Sequence, residues 1–135
     1  MSLASLPAMA QDWSFIDPLM AQALDIRADE GAATLFVDHV DPNVATVGLG
    51  FHYYGNREGG NAIHLNVGLF RRTDAGWTYV APVEIFGLSP EDARFLPGEI
   101  AIQTMMQGPN DPRCCPTQVT RWLVDTRTGA ANIVD

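Results

Sequence analysis

The sequence predicts an α+β fold, an N-terminal helix packed on a curved antiparallel β-meander of about five to seven strands. Three observations predict it. Apolar residues recur at helical spacing in one segment, near the N-terminus. After Gly31 apolar residues alternate with polar or small ones, the period-two pattern of half-buried strands. The connectors between the alternating runs carry glycine, asparagine and aspartate, the residues of tight turns.

The helix is expected over Asp12 to Ala28, with Phe15, Ile16, Leu19, Met20, Leu24 and Ile26 as its apolar stripe. Asp17 suits the cap and Pro18 the first helical position. Asp29-Glu30-Gly31 is the expected stop. A first strand is expected near Thr34 to Val37, followed by the loop Asp38-His39-Val40-Asp41-Pro42-Asn43.

Three alternating runs follow: Ala45 to Tyr54, Ile63 to Leu69, and Trp77 to Ile85. Gly55 to Asn61 forms the loop between the first two, and Thr73-Asp74-Ala75-Gly76 the turn between the next. Folding the first hairpin about Glu58 sets Phe51 against Leu65 and Leu49 against Val67. Folding the second about Asp74 sets Leu69 against Tyr79 and Val67 against Ala81. This register puts the apolar residues on one face, to be covered by the helix, and sets His52 opposite His64 on the polar face.

Ser89-Pro90-Glu91-Asp92-Ala93 reads as a capped helical turn. Strands are expected again at Glu99 to Met106, Gln118 to Asp125 and Ala130 to Val134, with Thr126-Arg127-Thr128-Gly129 closing the last hairpin. Without repeat or linker, residues 11–135 are expected to form a single β-rich domain.

Of 135 residues, 47% are apolar and 18% charged, too apolar for a disordered chain and too interrupted for a membrane span. The net charge of −8 repels phosphate backbones and argues against nucleic-acid binding. All eight basic residues are arginine, so neither a lysine Schiff base nor a P-loop lysine exists here. Ala8-Met9-Ala10 before Gln11 matches an export cleavage site. Residues 1–10 are therefore expected to be a signal-peptide remnant, with Met1-Ser2-Leu3 of vector origin. Such a chain belongs in the periplasm or cell envelope, where disulfides are allowed.

Gly108-Pro109-Asn110-Asp111-Pro112-Arg113-Cys114-Cys115-Pro116-Thr117 is the most unusual segment, holding both cysteines of the chain side by side. Adjacent Cα atoms lie about 3.8 Å apart, closer than the roughly 4.4–6.8 Å of ordinary disulfides. Cys114 and Cys115 could form a strained vicinal ring, remain two reduced thiols, cross-link two chains, or serve metal binding or thiol catalysis. The spacing matches neither a zinc site nor a C-x-x-C redox pair, and no metal or cofactor is expected. Arg113 stands beside Cys114 and would favour its thiolate.

The decapeptide resembles the C-terminal signature of a group of uncharacterised bacterial exported proteins and lipoproteins, and is similar to the mycobacterial LppP/LprE-type lipoproteins. The similarity extends back through Gly59-Gly60, the Leu65 to Phe70 strand and the Glu99 to Met106 strand, about the last 80 residues. It implies an envelope location and supplies no activity. The glycines of an Asp- and Gly-rich stretch found upstream in relatives are missing at Asp38 to Asn43, against calcium-type ligation.

His52 and His64, with Tyr54 beside them, are the remaining ligand candidates. Cross-strand histidines can share a metal, with Asp38 or Glu84 as a conceivable third ligand, can sense pH, or can simply face solvent. Catalytic motifs of the G-x-S-x-G, H-E-x-x-H and G-x-G-x-x-G types are missing. Trp77, Tyr79 and Trp122 read as core residues before they read as a stacking platform. The function expected is a non-enzymatic envelope module that binds a small ligand or a partner protein. The alternatives are a small pocket enzyme with a histidine base, and a homodimer joined through the Cys-Cys loop or edge strands.

Overall fold

A computed structural model of the chain describes residues 12–31, 33–60, 62–112 and 115–134. The expected remnant at residues 1–10 lies outside them. The chain divides into two compact units, Met1–Pro82 and Val83–Asp135. Among the described residues no helix is long and apolar enough to cross a membrane.

In the first unit a 3-10 turn, Ser14–Ile16, runs into helix α1, Asp17–Ala23. Strands β1 (Thr34–Val37), β2 (Val47–Gly55), β3 (Ile63–Thr73) and β4 (Gly76–Pro82) form an antiparallel sheet in chain order. The helix is shorter than its apolar spacing suggests. Leu24 N–H still donates to the Met20 carbonyl, but Asp25 turns to a left-handed φ of 55°, which an aspartate tolerates and a helix does not.

The hairpin registers differ from the expected ones, with consequences for both faces. Phe51 pairs with Val67 and Leu49 with Leu69, two residues along from the register centred on Glu58. Gly59 and Gly60 both take positive φ, at 96° and 106°, and move the turn centre onto Gly59. His52 consequently lies opposite Asn66, and Tyr54 opposite His64. In the second hairpin Thr73 pairs with Gly76, which brings Tyr79 opposite Phe70 and Trp77 opposite Arg72. A bulge between Leu69 and Phe70 then sets Leu69 against Ala81, where Val67 was expected. Trp77 and Tyr79 therefore share a face with Phe70 and Arg72 rather than with Val67 and Leu69.

That face is where the helix sits. Ile16, Met20, Leu24 and Phe70 form a buried cluster with Leu35, Trp77 and Tyr79 packed around it. Glycines make the floor: a Cβ on Gly68 would lie 2.8 Å from Leu24 Cδ2, and one on Gly50 3.1 Å from the Phe70 ring. Leu49, Phe51, Val67 and Leu69 occupy the other face and are buried as well.

In the second unit β5 (Leu88–Leu96), β6 (Glu99–Met106), β7 (Gln118–Asp125) and β8 (Ala131–Val134) form another antiparallel sheet in chain order. The helical turn expected at Ser89 to Ala93 is part of strand β5. Pairing with β6 wins over the local capping pattern. The edge strand absorbs the misfit through register shifts on both sides of Glu91, left-handed Ser89 and Asp92, and an edge-tolerated Pro90. The coarse α+β reading holds. The strands number eight among the described residues and form two sheets rather than one meander.

Ile100, Ile102 and Thr104 pair with Val124, Trp122 and Thr120 on one buried face of this sheet. The polar atoms there are chained. Trp122 Nε1 donates to Thr104 Oγ1 at 2.9 Å, and that hydroxyl donates to the Phe86 carbonyl at 2.6 Å. Thr104→Val would leave a buried donor and an acceptor unmatched. It is expected to cost about 1–3 kcal/mol in urea denaturation, with Thr104→Ser losing much less.

Candidate functional site

The three ligand candidates come together, in an arrangement different from the expected pair. His52, Tyr54 and His64 share the helix-side face of the first sheet. Tyr54 stacks on His52 at 5.4 Å and on His64 at 5.3 Å, between ring centroids. His52 is fully buried and His64 exposed. The carbonyl of Leu24, beyond the helix end, accepts a bond from Asn66 Nδ2 at 2.8 Å, which is why an asparagine stands opposite His52.

Two residues without an assigned role complete this cluster. Glu30, in the turn after the helix, places Oε1 3.3 Å from His52 Nε2. Arg57, from the β2–β3 loop, donates Nε to Glu30 Oε2 at 2.7 Å and Nη2 to Oε1 at 2.5 Å. Its Nη1 reaches Asp25 Oδ2 at 2.8 Å, and its Cζ lies 4.1 Å over the Tyr54 ring. The Arg57 hydrogen bonds hold the Glu30 carboxyl far below its usual range, against the opposing effect of burial. The Arg27 amide and His52 add to the lowering. Arg57 is in turn driven further up by Glu30, then Asp25.

The geometry is that of a latch. A guanidinium fork, a carboxylate and an aromatic face tie the post-helix turn to a hairpin loop. His52 Nδ1 is buried with no hydrogen-bond partner among the described residues. Tyr53, on the other face, has its hydroxyl pushed up to about 12 by burial.

Of the conceivable third metal ligands, Asp38 is engaged elsewhere in the first unit. Asp38 accepts the Thr46 and Val47 amides and the Thr46 hydroxyl, closing the turn before β2. His39 Nδ1 accepts the Asp41 amide. Among the described residues no three of His, Cys, Asp and Glu converge as a metal site would require.

The decapeptide loop is organised by Asp111. Its Oδ2 accepts the amides of Gly108 and Thr117, each at 2.8 Å, and its Oδ1 accepts the Thr117 hydroxyl at 2.8 Å. These bonds, the Gly108 amide first, lower the Asp111 pKa. Gly108 stands where a Cβ would come 3.1 Å from Asp111 Oδ2. Pro109-Asn110 forms the turn they span, and Cys115 N–H donates to the Pro112 carbonyl at 3.0 Å. Cys115, Pro116 and Thr117 are described, and Cys115 is not a free thiol. Arg113 and Cys114 lie outside the described residues. Asp111→Ala is expected to speed amide hydrogen exchange at Gly108 and Thr117 markedly, with β6 and β7 unchanged; equal exchange in both proteins would remove the clasp.

A groove of about 300 Å³ opens in the first unit. Phe15, Leu19, Pro42 and Trp77 wall it, and Arg72 is its one charged lining residue. Trp13 buttresses the wall, 6.0 Å from the Phe15 ring in a stack and 5.5 Å from Trp77 edge-on. Trp13 Nε1 is held by the Val40 carbonyl at 2.7 Å, so this aromatic wall is fixed in place. Phe15 remains 52% exposed. Arg72 donates Nε to the Ala45 carbonyl at 2.7 Å and has no carboxylate partner among the described residues. Sequence reading assigned Phe15 and Leu19 to a helix stripe and gave Arg72 no role.

A second depression of about 510 Å³ lies at one end of the second sheet, lined by Glu99, Asp125, Arg127 and Asn132 among others. Trp122 is buried and lines neither depression. No protein-family model, characterised protein or solved structure matches this chain.

Proposed function

We propose that the chain is an exported envelope domain that binds a ligand or partner without chemistry of its own. The observation that carries the binding part is the groove of Phe15, Leu19, Trp77 and Arg72. Preformed apolar walls with a few polar groups able to orient a guest, here Arg72 and Asn43, are the usual make-up of a ligand site. The export part rests on Ala8-Met9-Ala10 and on the resemblance of the decapeptide to exported lipoproteins. The groove, and not His52, is the binding surface in this reading, because His52 is fully buried and engaged with Glu30.

The test is a titration of ¹⁵N-labelled protein with indole and with blocked aromatic amino acids. Shifts are expected at Phe15, Leu19, Arg72 and the Trp77 indole, while the Trp122 indole stays still. No shift at the groove at millimolar probe would end the reading. For location, fractionation of the native bacterium is expected to place the protein outside the cytoplasm.

Within the same proposal, Cys114 and Cys115 form a vicinal ring that stiffens the loop framed by Asp111. The support is that Cys115 is not free and that Cys114 is the other cysteine of the chain. Alkylation without reductant should leave a monomer lacking two hydrogens and carrying no adduct. Two adducts, or a species of doubled mass, would sink the ring.

A further inference from the structure

The groove combines an apolar enclosure with a single cation, and that combination selects a chemical class. We infer that it takes a small apolar carboxylic acid, with the hydrocarbon or aromatic body against Phe15, Leu19 and Trp77 and the carboxylate on Arg72. The inference rests on the binding reading above and adds the identity of the ligand class to it.

Three observations converge. The first is charge: the lining holds Arg72 and no carboxylate. The guanidinium has one nitrogen committed, Nε to Ala45, which orients the group and leaves its terminal nitrogens for a planar anion. The second is the wall. Trp13 packs on both Phe15 and Trp77 and is itself hydrogen-bonded, so an apolar guest meets a surface already in place. The third is size. At about 300 Å³ the groove is at the small end of ligand sites, room for one amino-acid-sized body and not for a folded partner.

A cationic guest would face Arg72, and a neutral apolar guest would leave its terminal nitrogens without an anion. An acid satisfies both halves of the site. A phosphate or sulfate would find the guanidinium but would set its remaining charge against aromatic walls.

The experiment compares 3-phenylpropionate, its neutral amide 3-phenylpropanamide, and a tetrapeptide ending in a free phenylalanine carboxylate. Binding is read by chemical-shift titration of the folded chain. The acid is expected to bind on the order of tenfold tighter than the amide, the worth of one charge-assisted hydrogen-bonded contact. Arg72→Gln should abolish that ratio by weakening the acid far more than the amide, and Arg72→Lys should retain part of it. The acid-to-amide ratio on the unaltered protein needs no variant, so a folding defect at position 72 does not blunt the test. Equal binding of acid and amide overturns the carboxylate assignment and leaves the groove a binding site. Tighter binding of the tetrapeptide overturns the free acid in favour of a chain end. Failure of all three to bind removes the groove reading itself.

Discussion

Phe70→Ala is expected to cost the first unit about 3–5 kcal/mol, the usual range for emptying a fully buried aromatic site. Phe70 has no exposed surface and joins Ile16, Met20 and Leu24 in the cluster beneath the helix. Its ring lies 5.6 Å from Tyr79 and fills the space that the missing side chain of Gly50 leaves open. The helix is a short one of seven residues, too short to be stable by itself, so it depends on this contact to exist. Guanidinium denaturation followed by the fluorescence of Trp13 and Trp77 should show the loss. Phe70→Leu should retain more stability than the alanine variant. A cost below about 1 kcal/mol for the alanine variant would mean that the helix is not seated on this ring.

The second large effect is a pH dependence set by Glu30. Its carboxyl titrates far below the ordinary value of 4.5 because Arg57 holds the ionised form. A group with a depressed folded pKa contributes stability above its unfolded pKa and loses it as pH falls through the folded one. The first unit should therefore be at full strength above pH 4.5 and weaken steadily on acidification below it. Glu30→Gln should be less stable at neutral pH and show a flatter profile in the acid range. Asp111 contributes in the same direction, so the comparison to make is the difference between the two proteins, not either curve alone. An unchanged acid profile in Glu30→Gln would show that the latch contributes nothing to stability.

The strands of the first sheet were legible because alternation survives a slip of two residues. Leu49, Phe51, Val67 and Leu69 share a face in the expected register and in the observed one. The cross-strand partners were not legible, since they depend on which turn residue takes positive φ, and both Gly59 and Gly60 do. A slip of two was enough to replace a His52–His64 pair by His52–Asn66.

The even-numbered face departs further from the pattern. Alternation alone puts Gly48, Gly50 and Gly68 on the polar face with His52. Three glycines in phase on neighbouring strands instead mark a surface on which large side chains pack closely, those of Leu24, Tyr79 and Phe70 among them. That signal was present in the sequence and would have turned His52 from an exposed ligand into a buried partner. Glu30 and Arg57 carried no such signal. They stand 27 residues apart, and nothing local in either segment indicates that the helix will bring them together. Arg72 is similar: its meaning comes from Phe15 and Trp77, which reach it from the start of the chain and from the next strand.

The bulge opposite Leu69 and Phe70 also divides β4 into two segments that obey opposite rules. Before Val80, odd positions such as Trp77 and Tyr79 look toward the helix; after it, Ala81 looks the other way. A scan of polar substitutions along this strand should therefore reverse phase at Val80. Deleting that one residue would straighten the ladder, making Phe70–Tyr79 and Leu69–Ala81 successive regular pairs while Trp77 keeps its place in the groove wall.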